Sequence, residues 1–218
     1  MAAYTHNHSN QLTSTNNATY TYDANGNTLS ETAPNGTTTY TWDFENRLSS
    51  VTLPNGHVQS YKYDPFGRRI QKITYAKTRA FAYDGDNLVE EVKDTGGAAI
   101  RYTQGLGIDE PLATTVSGAT SYYHADGLGS ITSLTNASET VVDSYEYDSF
   151  GRLTGSNEVV SNTIRYTAPE DDGETKLYYY RARYYDPSTG RFLSEDPTLD
   201  DNEVDFSALD DGVRLQRK

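Results

Sequence analysis

At 218 residues the chain has room for one large β unit or for part of a bigger assembly. Its 18 Lys and Arg against 31 Asp and Glu give a formal charge of −13, which argues against a nucleic-acid partner and against anionic membrane surfaces. The absence of cysteine excludes disulfides, thiolate metal sites and a Cys nucleophile, and no apolar run approaches the length of a membrane span.

The chain opens on a polar segment, residues 1–17, with no apolar stretch that would serve as a signal peptide. From 18 to 168 a signature of two aromatics and an aspartate recurs about every twenty residues. It reads Tyr20-Thr-Tyr22-Asp23-Ala-Asn-Gly26, then Tyr40-Thr-Trp42-Asp43 and Tyr61-Lys-Tyr63-Asp64-Pro-Phe-Gly67-Arg68. Phe81-Ala-Tyr83-Asp84 and Tyr145-Glu-Tyr147-Asp148-Ser-Phe-Gly151-Arg152 follow, and Tyr184-Tyr185-Asp186-Pro-Ser-Thr-Gly190-Arg191 comes last. Worn copies fill the middle: Tyr102-Thr-Gln104 with Gln in the aspartate slot, Tyr122-Tyr123-His124-Ala-Asp126, and Tyr166-Thr-Ala168. Roughly nine units tile the chain.

Each unit carries two turn signals. Asp23, Asp43, Asp64, Asp84, Asp148 and Asp186 open turns in which the carboxylate can accept backbone N–H bonds, and Gly26, Gly67, Gly151 and Gly190 supply a positive φ. The other signal is Pro34-Asn35-Gly36, Pro54-Asn55-Gly56 or a Gly pair, each a hairpin signal. Between turns, Thr and Tyr alternate with period two, and no window has helical spacing. The expected fold is therefore all-β: an antiparallel meander of hairpins forming a coiled sheet. Only 35% of residues are hydrophobic, so the nineteen tyrosines are expected to replace an aliphatic core and to stack as a ladder on successive hairpins. Open strand edges predict association with further copies of the chain or with other segments like it.

The motif Tyr-x-Tyr-Asp-x-x-Gly-Arg resembles the YD repeat of the RHS (rearrangement hotspot) family. The stretch from Leu177 to Pro197 is similar to the RHS-associated core that closes such arrays. The resemblance implies a core motif at 169–197, and a sheet that forms part of an RHS-type β-shell. It implies a secreted or cell-surface protein of a bacterium, whose full-length relatives enclose a polymorphic C-terminal toxin. It also implies a self-cleavage site of aspartic-protease type, in which Arg183 and Asp196 match the family's Arg and first Asp. The family's downstream segment with the second Asp is missing from 198–218, so retained cleavage is disfavoured. Lys176 and Pro169 stand where the family usually has Gly and Arg, which puts the local turn in question.

Other sites read as structural. Asp23-Ala-Asn-Gly-Asn lacks the glutamate of a calcium loop, and Glu170-Asp171-Asp172-Gly-Glu174 reads as a solvated loop. His6, His8, His57 and His124 show no metal spacing, so neither a metal site nor a cofactor is expected. Residues 195–211 are acidic without a basic side chain, and 198–218 are read as a flexible acidic tail. Three functions remain: a non-catalytic scaffold enclosing or displaying a toxin domain, a module binding carbohydrate or protein through Tyr40, Trp42, Tyr61 and Tyr63, and a residual autoprotease. The scaffold is the reading favoured here.

Overall fold

The computed structural model describes residues 4–94 and 96–197, and within them twenty strands and no α-helix. The first eight are β1 (Thr5–His6), β2 (Leu12–Ser14), β3 (Thr19–Tyr22), β4 (Thr28–Ala33), β5 (Gly36–Trp42), β6 (Leu48–Thr52), β7 (Val58–Tyr63) and β8 (Arg69–Ile73). Next come β9 (Thr78–Asp84), β10 (Asn87–Lys93), β11 (Ile100–Gln104), β12 (Pro111–Val116), β13 (Ala119–Ala125), β14 (Ile131–Asn136), β15 (Val141–Tyr147) and β16 (Leu153–Asn157). The last four are β17 (Glu170–Asp172), β18 (Leu177–Tyr180), β19 (Arg183–Asp186) and β20 (Arg191–Phe192). Strands β1 to β16 form one sheet in strict sequence order, and β17 to β20 form a second. The fold is all-β and the large sheet is open, since β1 and β16 do not pair. Two of its strands fall within residues 1–17, His6 among them, and its last ends at Asn157. The acidic residues from 198 onward lie outside the described residues.

The repeat works through three linked devices. In the first, an Asp carboxylate organises the turn. Asp64 Oδ1 accepts the amides of Phe66 and Arg68 at 2.9 and 3.0 Å, and Asp23, Asp43, Asp126 and Asp148 do the same at their turns. The third residue after each Asp is left-handed, which Gly26, Asn46, Gly67, Gly129 and Gly151 satisfy. Gly151 is doubly constrained, because a β-carbon there would also collide with the Tyr166 ring.

In the second device, the strand leaving each turn carries one extra residue. Tyr63 pairs with Arg69, whereas its neighbour Lys62 pairs with Gln71, so Ile70 is bulged. The same slip recurs at Leu29, Ser49 and Thr154. A bulge bends its strand and leaves the ladder locally unpaired.

The third device answers the second. At most of these bulges the preceding carbonyl receives a hydrogen bond from the second aromatic of the next repeat; Ala125 fills that slot after the Leu112 bulge and offers no donor. Tyr22 Oη donates to Leu12 O (2.7 Å), Trp42 Nε1 to Thr28 O (2.8 Å), Tyr63 Oη to Leu48 O (2.7 Å), Tyr83 Oη to Arg69 O (2.9 Å) and Tyr147 Oη to Ile131 O (2.9 Å). A carbonyl left bare at such a place would cost stability, so the phenol tip explains why this slot is aromatic and polar at once. Gln104 plays the same part, donating to Leu88 O at 2.8 Å. It therefore stands in the second-aromatic slot, and Gly105 in the aspartate slot that sequence reading gave to Gln104.

Two further readings are corrected. Asp84 opens no carboxylate-capped turn; it pairs directly with Asn87 across a two-residue turn at Gly85 and Asp86. Tyr166 to Ala168 form no strand, because Ala168 N donates to Arg165 O within a turn and Thr167 and Ala168 are both left-handed. The large sheet thus holds sixteen strands, or eight hairpins, rather than nine units.

A flat sheet of sixteen strands would be roughly 70 Å wide. The small sheet nonetheless touches both of its ends. Arg191 Nη2 meets His6 Nε2 at 2.9 Å beside β1, and Tyr178 and Tyr185 donate to Gly151 O and Phe150 O (both 2.9 Å) in the turn before β16. The large sheet therefore curls around the small one, as repeated bulges along one rim favour.

The interior is mixed. One cluster joins Tyr40, Leu48, Val51 and Tyr61 to Leu177, Tyr179, Tyr184 and Leu193 of the core motif. The other gathers Phe81, Leu88, Ile100, Tyr102, Ile131, Leu134 and Tyr145 against Ile164 and Ala168. Aliphatic side chains are thus half of the core, contrary to the composition argument. Nor do tyrosines of successive hairpins form a ladder. First aromatics stand two strands apart, about 9–10 Å, beyond the 4.5–7 Å of ring contact. Rings meet across the seam instead, as in Tyr61–Tyr184 (5.1 Å) and Tyr63–Tyr179 (6.5 Å). The outer face carries hydroxyl pairs such as Thr21–Ser30 (2.6 Å) and Thr41–Ser50 (2.7 Å).

Candidate functional site

The seam between the sheets holds the densest chemistry. Arg69 and Lys72 of β8 point inward, each no more than 4% exposed. Repeat alignment shows why: Arg69 follows Leu48 and Lys72 follows Val51, both core positions of the preceding hairpin. Charges in those slots need buried partners, and β17 supplies them. Arg69 Nη2 reaches Glu170 Oε2 at 2.6 Å, and Arg69 Nη1 lies 3.6 Å from Asp172 Oδ1. Lys72 Nζ binds Asp172 and also Glu174 Oε2 (2.7 Å). Tyr61 Oη donates to Asp172 Oδ2 at 2.5 Å, Arg69 Nη1 donates to Tyr184 Oη at 3.1 Å, and the Arg69 amide donates to Tyr179 Oη at 2.9 Å. The Arg69 guanidinium also lies 4.4 Å from the Tyr179 ring centroid.

The electrostatics of the two acids diverge. Burial raises the Glu170 carboxyl above its ordinary range despite Arg69. Burial would raise Asp172 as well, but Lys72 and Arg69 outweigh it and hold that carboxyl low. Burial, then Asp172, drives the Tyr61 phenol well up, so it stays a donor. The stretch 170–174, read from sequence as a solvated loop, is thus the ionic key of the fold. Its signal was available: two cations fell in apolar repeat slots, and an acidic cluster had no stated partner.

Tyr40 and Tyr61, candidates for an aromatic binding face, are buried in this seam at 6% and 5% exposure. Trp42 and Tyr63 are half-buried and pack on the same cluster, with their polar atoms tied to carbonyls. None of the four is an exposed side chain.

The family-matched Arg183 and Asp196 do come together, with Nη2 to Oδ2 at 2.9 Å and Arg183 stacked 3.8 Å from the centroid of Phe192. Asp186 caps its turn, accepting Ser188 N at 2.8 Å, and Gly190 is left-handed against Phe150. Lys176, where the family favours Gly, is itself left-handed at φ 61°. Arg181 binds Asp109 at 2.5 Å. Among the described residues no group of three His, Cys, Asp or Glu is placed to hold a metal ion, and no helix is long and apolar enough to cross a membrane.

Comparison with known proteins fits this architecture. The tRNA nuclease WapA of Bacillus subtilis is 39% identical over 193 residues, covering 86% of this chain and 8% of that protein. The tRNA3(Ser)-specific nuclease WapA of Bacillus spizizenii is 38% identical with the same coverage. The double-stranded DNA deaminase toxin A of Burkholderia cenocepacia is 28% identical over 63% of this chain and 12% of its own. The chain thus spans less than a tenth of the WapA proteins. Among solved structures, the TcdB2-TccC3-Cdc42 crystal structure superposes with a TM-score of 0.56 at 21% identity, over 91% of this chain and 14% of that one. TcdB2-TccC3 gives 0.52 at 22% identity, over 84% and 12%. These likenesses concern the fold. Residues 2–208 match the Teneurin YD-shell family, and with a curled meander closed by its core motif the chain belongs to that family.

Proposed function

We propose that this chain is a non-catalytic segment of a YD-repeat shell, which encloses or displays a toxin domain at a bacterial surface or outside the cell. The observation that carries the reading is the curl itself. The core motif is not an appendage but the object the strip wraps, keyed by Arg69 and Lys72 to Glu170 and Asp172. The toxin-named relatives support association with such a domain. The partners expected are a toxin domain, other shell segments, or further copies of the chain through the open edges at β1 and β16.

The test is a reporter domain joined after Lys218 and challenged with protease. Enclosure or docking predicts cleavage of the reporter several-fold slower than when it is free, and an equal rate rejects it. Light scattering checks the edges: self-association predicts a mass that rises with concentration.

The close Arg183–Asp196 pair supports a second reading, residual self-cleavage. Hydrolysis by this chemistry needs a second carboxylate sharing a proton with the first. Intact mass after long incubation decides it: an unchanged mass rejects cleavage, and loss of a C-terminal fragment that Asp196→Asn abolishes establishes it.

A further inference from the structure

We propose that Lys72 and Asp172 join through an isopeptide bond, an amide from Nζ to Cγ that ties the large sheet to the small one. The two side chains are in direct contact, Nζ against Oδ1, at 4% and 0% exposure. They lie 100 residues apart in sequence, on β8 and β17. An ordinary ion pair fits that much; the groups around this one go further.

Three groups face the pair as amide formation requires. Glu174 Oε2 accepts from Lys72 Nζ at 2.7 Å, where a base must sit to free the amine. Tyr61 Oη donates to Asp172 Oδ2 at 2.5 Å, where negative charge gathers once the carboxyl carbon is attacked. Arg69 Nη1, 3.6 Å from Asp172 Oδ1, adds a positive charge beside the same carboxyl. Nucleophile, electrophile, base and oxyanion donor thus stand together, and packing between two sheets holds them in place.

Before closure the pair is ionic, and any response of Asp172 to pH belongs to that form. Desolvation penalises both charges, so the neutral amine and acid lie much nearer in energy here than in water. Nζ first passes a proton to Glu174. Its lone pair then attacks Cγ, and the Cγ–Oδ2 π electrons move onto Oδ2 beneath the Tyr61 hydroxyl. They return as the Cγ–Oδ1 bond breaks and Oδ1 departs as water. Two of the three ammonium protons leave on that water, the first by way of Glu174, and the third stays on the amide nitrogen. Ammonium and carboxylate give amide and water, with no other reactant. The charges left behind stay paired: Arg69 keeps Glu170 at 2.6 Å, and Glu174 keeps Lys77 at 3.7 Å. In a chain without cysteine, the bond is a covalent staple across the seam.

The intact mass of the denatured full-length chain reads the bond directly. The expected mass is one water below that of the sequence, and digestion should release a branched peptide joining the segments around Lys72 and Asp172. Lys72→Arg keeps the charge and should keep the full mass. Glu174→Gln, at a partly exposed position, leaves both reacting groups in place and should slow closure by about 100-fold. Tyr61→Phe should slow it by about 100-fold as well. A mass that never falls in the folded wild-type chain overturns the proposal. So does a water loss that maps to an Asp-Gly step such as Asp84-Gly85 instead of to Lys72. Closure at the wild-type rate in Glu174→Gln overturns Glu174 as the base. Protection of a reporter domain does not read this mass, so the shell role and the bond fail separately.

Discussion

The two halves of the interior solve one problem differently. Around β5 to β8 the sheet presents Tyr40, Val51, Tyr61, Arg69 and Lys72, and a second sheet must dock to bury them. Around β10 to β15 it presents Leu88, Ile100, Ile131 and Leu134, and a short stretch at Ile164 to Ala168 suffices to cover them. The first half is keyed: it accepts only a partner with acids at the right places. The second half is covered mainly by apolar side chains, and its buried acids are satisfied by its own strands and the chain after β16: Glu91 by Arg79, and Asp143 by the amides of Val159 and Val160. Replacing charges by apolar residues is often neutral for stability, so the ionic half reads as a device for specificity, fixing where the core motif sits along the strip.

The largest way to break this contrast is Asp172→Ala. It leaves Lys72 and Arg69 short of their shared carboxylate in a buried seam, and should cost about 3–5 kcal/mol in denaturant unfolding. Leu134→Ala, in the other half, should cost about 2–5 kcal/mol without freeing the core motif. Limited proteolysis distinguishes the two: cleavage in the 173–176 turn after β17 should accelerate in the first variant alone, whereas the second should loosen 164–168, which packs on Leu134.

The pH dependence sharpens it. Asp172 titrates below its unfolded value, so its contribution is complete above about pH 4 and is lost as pH falls through the folded value. Glu170 titrates above its unfolded value, so acidification through that window favours the folded state. The cost of Asp172→Asn should therefore be flat from neutral pH to about 4 and shrink below it. Glu170→Gln should give a smaller cost and remove part of any stability gained on mild acidification. Equal pH profiles for the two variants would reject this division of roles.

A smaller effect is expected from Tyr63→Phe, which keeps the ring and orphans Leu48 O, at about 1–3 kcal/mol. The same change at Tyr147 should cost as much, because the bond to Ile131 O is equivalent. A large difference between the two would show that the repeat is not a uniform unit. The smallest effect has the opposite sign. Lys176→Gly relieves a left-handed backbone worth about 1–2 kcal/mol, offset by the entropy of glycine, for a net gain of about 0.5–1 kcal/mol.

The period and its turns were legible in sequence because Asp and Gly act locally, within five residues. The second aromatic was legible as a ring but not as a donor, since its acceptor exists only once the neighbouring strand has bulged. Gln104 shows this: read by letter it took the wrong slot, while its bond to Leu88 O reveals the right one. The seam was illegible for another reason. Arg69 and Glu170 are a hundred residues apart, and only the curl makes them neighbours. Composition also misled, because a low apolar fraction was taken for the absence of aliphatic packing. Leu48, Val51, Ile131 and Leu134 are instead fully buried in the core.

The clasp from each ring tip to the carbonyl before the preceding bulge has a polarity. Wherever the slot holds a polar tip, a hairpin completes the one made before it and leaves a vacancy for the one made after; Ala125 is the exception. Such an array can grow in the order of synthesis, each arrival sealing its predecessor. It can also gain or lose whole units of about twenty residues in evolution, because any incoming copy offers the same donor to the same acceptor. A change that breaks phase by a few residues has no such remedy.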